Sequence, residues 1–293
     1  MSVLTRPLTG STVGLSISNG KETTALGFSA PEVNRTTLRI VVALLGQGAG
    51  ITFGHDWRDD GVMDSVHAFV ERFYSPLNEN HHPPLINLVV WPDKPRLDEA
   101  DRQRLKDTLN VEEVGLPPEL RNYMNDTNPI LYPYLRSRAL THLRRRLTGL
   151  SNARICLGGK LSDYSGRYPG IVEEAYLAIR AGQPIFMAGL LGGATCAMIN
   201  ALKQINTPTD LCPEVPVARF YRERQVEQPQ SENLDDLQWS SQAVWQAFAT
   251  LGVDGLSDLN QLSVEENHQL FTTQSVEGAI ELILTGLGRA KRR

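Results

Sequence analysis

Residue types that could bind an anion and act on it come together in the stretch ARICLGGKLSDYSGRYPGIVEEAYLAI. Its apolar start leads into Gly158 and Gly159, and a polar loop then reaches a Pro-Gly pair that ends at Gly170. Glycines let a backbone approach a ligand closely, and the free N–H groups of a helix N-terminus attract anions. Glu173 and Glu174 follow in the first turn of the predicted helix, where carboxylates could do acid, base or nucleophilic chemistry. The stretch therefore predicts a pocket for a nucleotide or a sugar phosphate.

Further candidates follow the other short apolar runs of the chain. In an open parallel sheet the ligand lies beyond the carboxyl ends of the strands, so residues at those ends are candidates for the same pocket. Glycine there is also ordinary turn chemistry, and a purely structural role for each glycine stays open. The additional predicted binding residues are Ser16, Ser18, Gly54, His55, Asp56, Arg58, Trp91, Gly189, Gly192 and Gly193.

Arginines are the cations best suited to the predicted anion, because a guanidinium offers a planar fork to phosphate. The candidates are Arg58, Arg136, Arg138 and Arg144. Arg138 and Arg144 lie about two turns apart on the predicted helix that contains ALTHLRRRL. We expect Arg138 to face the pocket and the run 144–146 to face solvent.

Short apolar runs alternate with amphipathic helical patterns, which is typical of a parallel sheet covered on both faces. We predict an α/β fold with a Rossmann-like, doubly wound parallel sheet of five or more strands, a helical insertion and a C-terminal helical extension. The insertion is assigned to residues 92–150, a segment far longer than an ordinary connection. Two helices are predicted within it, over 97–109 and 131–150. The predicted strands are 13–18, 50–54, 85–91, 153–158 and 184–189.

The pattern changes once along the chain. Residues 1–204 are predicted to form one Rossmannoid ligand-binding domain. Prolines and mixed charges without a sustained period predict a crossover or linker over 205–237. Helical patterns return over 238–293, and we expect these helices to pack on the same domain.

Composition argues against several classes of protein. The formal net charge of -4 gives no basic field for nucleic acid or an anionic membrane, and the basic cluster 289–293 is expected to be a solvated tail. Three cysteines without CxxC spacing argue against a disulfide framework or a zinc site, and we predict neither a metal nor another cofactor. The chain begins without a signal-peptide pattern, and no stretch approaches the roughly 20 apolar residues of a membrane span. We expect a cytoplasmic protein.

Several fragments spread over nearly the whole chain are informative when taken together: LSIS, ITFGHDWRDDGVMD, LVVWP, YLRSRALTHLRRRL, the stretch described first, PIFMAGLLGGAT and the closing QLFTTQSVEGAIELILTGL. Together they resemble the SLOG superfamily, the Rossmannoid group that includes the Lonely-guy phosphoribohydrolases and the DprA-like proteins. More narrowly, the chain resembles the TIR- and PNP-associating SLOG branch.

Lonely-guy enzymes carry a PGGxGTxxE signature, whose glutamate acts with an arginine on the N-glycosidic bond of a nucleoside monophosphate. The resemblance implies that Glu174 stands at the glutamate position and Arg138 near the arginine position. The chain departs from the signature at Leu157 and Ile171, which replace its proline and threonine, and the insertion KLSDYSGRYP separates its two halves. The resemblance thus implies nucleotide binding more directly than catalysis.

Three functions stay open. The protein could sense or bind a nucleotide or ADP-ribose derivative, as related branches do in bacterial antiviral defence or stress signalling. It could be an N-glycoside hydrolase, with Glu174 acting on an oxocarbenium-like ribose, Arg138 holding phosphate, and Asp56 or His55 donating a proton. It could also be a non-catalytic scaffold. The resemblance further implies a homo-oligomer that acts alone or beside a separately encoded effector, such as a TIR enzyme.

Overall fold

A single parallel sheet organises the described part of the chain. The computed structural model describes residues 6–54, 62–73, 84–95, 97–125, 128–129, 131–205 and 241–292. Its strands are β1 (Thr12–Ser18), β2 (Gly50–Gly54), β3 (Leu85–Val90), β4 (Leu109–Val114), β5 (Ala153–Gly158) and β6 (Ile185–Ala188). Their order across the sheet is β4-β3-β2-β1-β5-β6, and every neighbouring pair is parallel. This arrangement confirms the predicted Rossmann-like, doubly wound fold.

Helices cover both faces of the sheet. Within the described residues they are α1 (Lys21–Ala25), α2 (Ala30–Gly46), α3 (Met63–Phe73), α4 (Glu99–Leu105), α5 (Tyr132–Leu150), α6 (Gly170–Arg180), α7 (Gly193–Leu202), α8 (Ser241–Asn260), α9 (Val264–Thr272) and α10 (Val276–Lys291), with short 3₁₀ turns at Pro118–Tyr123 and Gly189–Leu191. Buried side chains of α2, α3 and α10 share one apolar core with the sheet. Side chains of α5 form a second core, and those of α6, α7 and α8 form a third. None of the described helices is long and apolar enough to cross a membrane.

The helix that flanks the candidate pocket, α2, follows directly from its sequence. A proline in its first turn suits a helix start, and the Glu32 carboxylate accepts a hydrogen bond from the Ser29 backbone N–H at 2.7 Å. Ile40, Val41 and Leu44 recur at helical spacing and are buried in the core shared with the sheet. The register of these apolar residues fixes which face of α2 remains available to a ligand.

The segment 92–150 contains more than the two predicted helices. The predicted helix over 97–109 is shorter in the structure, where α4 ends at Leu105, and Leu109 begins β4 opposite Leu85 of β3. β4 is an edge strand with partly exposed glutamates, so it lacks the continuous apolar run that marks the inner strands. The other helix, α5, packs on β2 and β3. The segment thus adds one strand to the doubly wound sheet, with α4 before this strand and α5 after it along the chain.

The C-terminal helices contact the same sheet. Phe248 of α8 is buried in the core of α6 and α7, and the Asn260 side chain donates to the Ile185 carbonyl of β6 at 3.0 Å. Arg289 of the basic cluster is exposed, as expected, and also forms an ion pair with Glu266 of α9 at 2.6 Å. The predicted linker over 205–237 lies outside the described residues, except for its first one.

Candidate functional site

A cleft of about 460 Å³ opens at the carboxyl ends of β1 and β5. From β1 the chain continues to β2 on one side, while β5 lies on the other side, so the cleft is at the point where the strand order reverses. Open α/β sheets bind their ligands at this point. The cleft is lined by Ile17, Ser18, Asn19, Gly20, Lys21, Thr24, Ala30, Val33, Asn34, Thr37, Val62 and Lys160.

Two glycine-containing loops, one after β1 and one after β5, touch each other beside the cleft. Gly158 and Gly159 have φ angles of 64° and 98°, in the left-handed region that favours glycine. The Gly159 N–H donates to the Ser18 carbonyl at 2.9 Å. A Cβ on Gly158 would lie 2.6 Å from that same oxygen, and a Cβ on Gly20 would lie 3.1 Å from the Gly159 oxygen. Glycine is therefore required by the close approach of the two loops.

The N-terminus of α7 is fixed to the same glycine loop. The Ala194 N–H donates to the Gly159 carbonyl at 3.0 Å, and the Thr195 hydroxyl donates to the Gly158 carbonyl at 3.0 Å. Gly193 has a φ of 60°, and a Cβ there would lie 2.3 Å from the Gly159 oxygen. These contacts hold the end of β5 rigidly beside the cleft.

Two lysines bring positive charge to the cleft, Lys21 after β1 and Lys160 after β5. Lys21 Nζ lies 2.7 Å from Oδ2 of Asp163, and both side chains are largely exposed, at 79% and 70%. The hydrogen bond and charge of Lys21 lower the pKa of Asp163, and Asp163 in turn raises the pKa of Lys21. Lys160 adds a smaller lowering of the Asp163 pKa. The Glu22 carboxylate also raises the pKa of Lys21, so the lysines at the mouth of the cleft have two carboxylates near them, Asp163 and Glu22.

The predicted glutamate pair lies in a buried ionic network. The Glu173 side chain is completely buried, accepts a hydrogen bond from the Thr141 hydroxyl at 2.6 Å and pairs with Arg144. Arg144 is only 7% exposed, so the expectation that it faces solvent is wrong. Gly170 makes room for it, because a Cβ there would lie 2.8 Å from Arg144 Nη2. Arg144 of the basic run is thus buried because it pairs with Glu173 of α6.

Glu174 belongs to the same network. Its Oε2 accepts hydrogen bonds from Arg154 Nη1 at 2.9 Å and from the Ser16 hydroxyl, and its Oε1 lies 3.8 Å from Arg144 Nε. Arg154 of β5 is fully buried, and its guanidinium lies over Gly14 of β1. A Cβ on Gly14 would lie 3.0 Å from the Arg154 Cζ. We call Arg144, Arg154, Glu173 and Glu174, with Ser16 and Thr141, the ion network.

The ion network lies on the α6 side of β1, whereas the cleft lies on the α2 side and extends over the end of the strand at Ser18. Successive side chains of a strand point to opposite faces of the sheet. Gly14 and Ser16 face α6 through Arg154 and Glu174, whereas Ile17 faces α2 and lines the cleft. Neither glutamate is among the residues that line the cleft.

Comparison with known families agrees with this geometry. The sequence profile described as SLOG cluster2 matches residues 7–270, which is most of the chain. The chain belongs to this SLOG family. Its membership confirms the resemblance to the SLOG superfamily and indicates a nucleotide-related Rossmannoid domain. Comparison with curated proteins gives no match. Placement in the TIR- and PNP-associating branch stays a prediction.

Three predicted arginines of the SLOG protein, Arg136, Arg138 and Arg144, have partners away from the cleft. Arg138 forms an ion pair with Glu119 at 2.8 Å. Arg136 donates to the carbonyls of Val90 and Trp91, at 3.2 and 2.6 Å, and so fixes the end of β3. The guanidinium groups of Arg154 and Arg144 are the ones that contact Glu174.

The remaining predicted residues divide between the cleft and packing positions. Ser18 lines the cleft, and the Trp91 ring packs against Tyr132 with their centroids 6.0 Å apart. Close approach explains three glycines, because a Cβ would meet Leu143 at Gly54, the Phe271 carbonyl at Gly189 and Leu26 at Gly192. The candidates His55, Asp56 and Arg58 lie outside the described residues.

Sequence reasoning missed both lysines of the cleft and the buried Arg154. A repeated local signal could have found the lysines, because a Gly-Lys pair follows β1 in SNGK and β5 in GGK. The signal for Arg154 is a charged residue within the apolar run ARICLG, opposite Gly14 in register. The described residues contain no group of three or more His, Cys, Asp or Glu side chains that could hold a metal ion.

Proposed function

We propose that this SLOG protein binds a nucleotide-derived ligand in the cleft and leaves its N-glycosidic bond intact. The observation that carries this proposal is the separation across β1. The cations and amides of the cleft lie on one side, and the glutamates of the Lonely-guy-like signature are engaged in the ion network on the other. Ligand binding needs only the first set of residues, whereas hydrolysis needs both sets to meet on one ligand.

The lining of the cleft supports a ligand with an apolar ring and an anionic group. Ile17, Val33 and Val62 offer apolar surface, and Asn34 adds an amide with both donor and acceptor capacity. The lysines offer charge to a phosphate. A volume of about 460 Å³ falls within the range of small-molecule sites.

The contacts of Glu174 argue against a hydrolytic role. A carboxylate that attacks or stabilises an oxocarbenium-like ribose must reach the anomeric carbon. Oε2 of Glu174 already accepts hydrogen bonds from Arg154 and Ser16, in contacts that turn the carboxylate toward β5. If Glu174 turned toward a ligand, the buried Arg154 would lose its charged partner, which is costly. We therefore expect these contacts to persist when a ligand binds.

Calorimetry and chromatography test the proposal together. We expect AMP, ADP, NAD or ADP-ribose to bind, to raise the unfolding free energy by about 2.7 kcal/mol at 100 times the Kd, and to give no free base. Ala30→Trp should fill the cleft and abolish binding, whereas Ala100→Trp, at an exposed position of α4, should leave binding unchanged. No binding of any of the four compounds would refute the proposal. Release of base that disappears in Glu174→Gln would establish the hydrolase instead.

We further propose that the protein works in the cytoplasm as a homo-oligomer beside a separately encoded effector, such as a TIR enzyme whose product is an ADP-ribose derivative. This second proposal is supported by the membership of the chain in the SLOG family and by the class of ligand proposed for the cleft. Light scattering of the purified protein should give a mass that is a multiple of one chain. A monomer with and without nucleotide would contradict the oligomer.

A further inference from the structure

Two Gly-Lys loops leave the sheet side by side. β1 and β5 are neighbours, and Ser18 is paired in register with Gly158. Gly20 and Lys21 follow the first strand, and Gly159 and Lys160 follow the second. The loops are in contact, because a Cβ on Gly20 would lie 3.3 Å from the Lys160 Cα. The cleft thus receives one ammonium group from each of two adjacent strands.

One carboxylate at the cleft mouth comes from the inserted segment KLSDYSGRYP. Asp163 lies in this segment with a φ of 55°, in the left-handed region, and its carboxylate reaches Lys21 at 2.7 Å. This segment separates the two halves of the Lonely-guy-like signature. The chain therefore brings its own anion to one of the two lysines of the cleft.

We propose that the cleft takes a ligand with two linked phosphates, one at each Gly-Lys loop, and that Asp163 holds the Lys21 position until the ligand displaces it. This inference rests on the proposed function and narrows its ligand to a nucleoside diphosphate moiety.

The spacing of the loops supports a diphosphate over a monophosphate. Neighbouring strands lie about 4.8 Å apart, a separation that two linked phosphates can bridge. Each lysine carries three donors on a flexible stem, so each can hold a separate phosphate. A monophosphate would bind at Lys160 and leave the pair of Lys21 with Asp163 in place.

The exposure of the pair supports displacement of Asp163. Ion pairs between largely exposed side chains are weak, and their loss corresponds to about a 1.5- to 5-fold change in an equilibrium constant. A phosphate that carries more charge than a carboxylate can therefore replace Asp163 at small cost. The expected effect of removing Asp163 is correspondingly small but measurable.

Calorimetric titration with ADP, AMP, inorganic pyrophosphate and inorganic phosphate tests the inference. Lys21→Ala and Lys160→Ala should each weaken ADP and pyrophosphate binding about tenfold or more, because each removes a charged hydrogen bond. AMP and phosphate should respond to Lys160→Ala alone. Asp163→Asn should strengthen ADP binding about 1.5- to 5-fold. Matched controls are Lys106→Ala and Asp254→Asn, two exposed positions away from the cleft, which should change nothing.

The outcomes separate this inference from the proposed function. If nucleotides bind but AMP and ADP bind equally well and Lys21→Ala has no effect, the diphosphate assignment is wrong and the proposed function stands. If pyrophosphate binds through both lysines and no nucleotide binds, the diphosphate site stands and the proposed function fails. If none of these four compounds binds, the diphosphate site is overturned, and the proposed function falls as well if NAD and ADP-ribose also fail to bind.

Discussion

A fully buried arginine in the middle of β5 governs the chemistry of the glutamates. Arg154 is completely buried and donates to both Glu174 and Ser16. Gly14 leaves the space for its guanidinium. Removal of one partner from a buried ion pair leaves an uncompensated charge, which costs far more than the pair contributes. The network therefore gives Glu173 and Glu174 a structural role that does not depend on a ligand.

Glu174→Gln tests that role. We expect the free energy of unfolding to fall by about 3 kcal/mol, because Arg154 loses its charged partner. Affinity for ADP should stay unchanged, since the cleft lies on the other side of β1. Urea denaturation and calorimetry measure the two effects. As a control, Glu277→Gln removes an exposed partner of Arg39 and should cost at most about 1 kcal/mol. Full stability together with lost ligand binding or turnover would contradict the structural role.

The thiol of Cys156 should be inert in the folded protein. Burial raises its pKa from 9.0 to about 12, so the thiol stays protonated at neutral and mildly alkaline pH. Iodoacetamide at pH 8 should leave Cys156 unmodified in the native protein and label it after unfolding, as read by mass spectrometry. Because the pKa of Cys156 is raised in the folded protein, the buried, protonated thiol contributes fully to the stability of the fold below pH 9.0. This contribution is lost as the pH rises toward about 12. Rapid labelling of Cys156 in the native protein would contradict this prediction, because it would show that the thiol is accessible to the reagent.

At the scale of elements, close backbone contact fixes the helices at the carboxyl edge of the sheet. Gly189 follows β6 and faces the Phe271 carbonyl in the last turns of α9. A Cβ on Gly189 would lie 2.0 Å from that oxygen. Position 189 must therefore be glycine for α9 to lie this close to the sheet. The same logic applies to Gly193 and the glycine loop after β5.

Gly189→Ala should therefore destabilise the fold through α9. We expect a loss of about 1–3 kcal/mol in unfolding free energy and unchanged nucleotide affinity, since the added methyl group overpacks the contact with Phe271. Gly46→Ala is the matched control, because a Cβ there meets nothing within 4 Å. This control should be neutral or stabilise the protein by about 0.4–1 kcal/mol. Thermal and urea denaturation give both values. Equal stability of the two variants would contradict the packing role.

The inner strands could be predicted from sequence because each is a short apolar run buried on both faces. β4 could not, because Glu112 and Glu113 lie on an edge strand and pair there with Arg146 and Lys94. At the candidate site, the glycines after β5 pointed to the edge of the sheet at which the cleft opens. The side of β1 that the glutamates face could not be predicted, because it depends on the rotation of α6 and on the buried Arg154.

At the scale of the whole molecule, one sheet separates two sets of charged groups. Lysines, amides and apolar side chains from β1, α2 and β5 surround the cleft on one side. The ion network fastens α5 and α6 to the other side. We therefore propose that in this SLOG protein the residues of the enzyme-like signature stabilise the fold and that the Gly-Lys loops bind the ligand.

A crystal structure of the complex with ADP would show whether the protein binds the nucleotide without cleaving it. We expect intact ADP in the cleft between β1, β5 and α2, with Glu174 still paired with Arg154. Density for ribose phosphates without the base, or for a ligand in contact with Glu174 on the other side of β1, would contradict it.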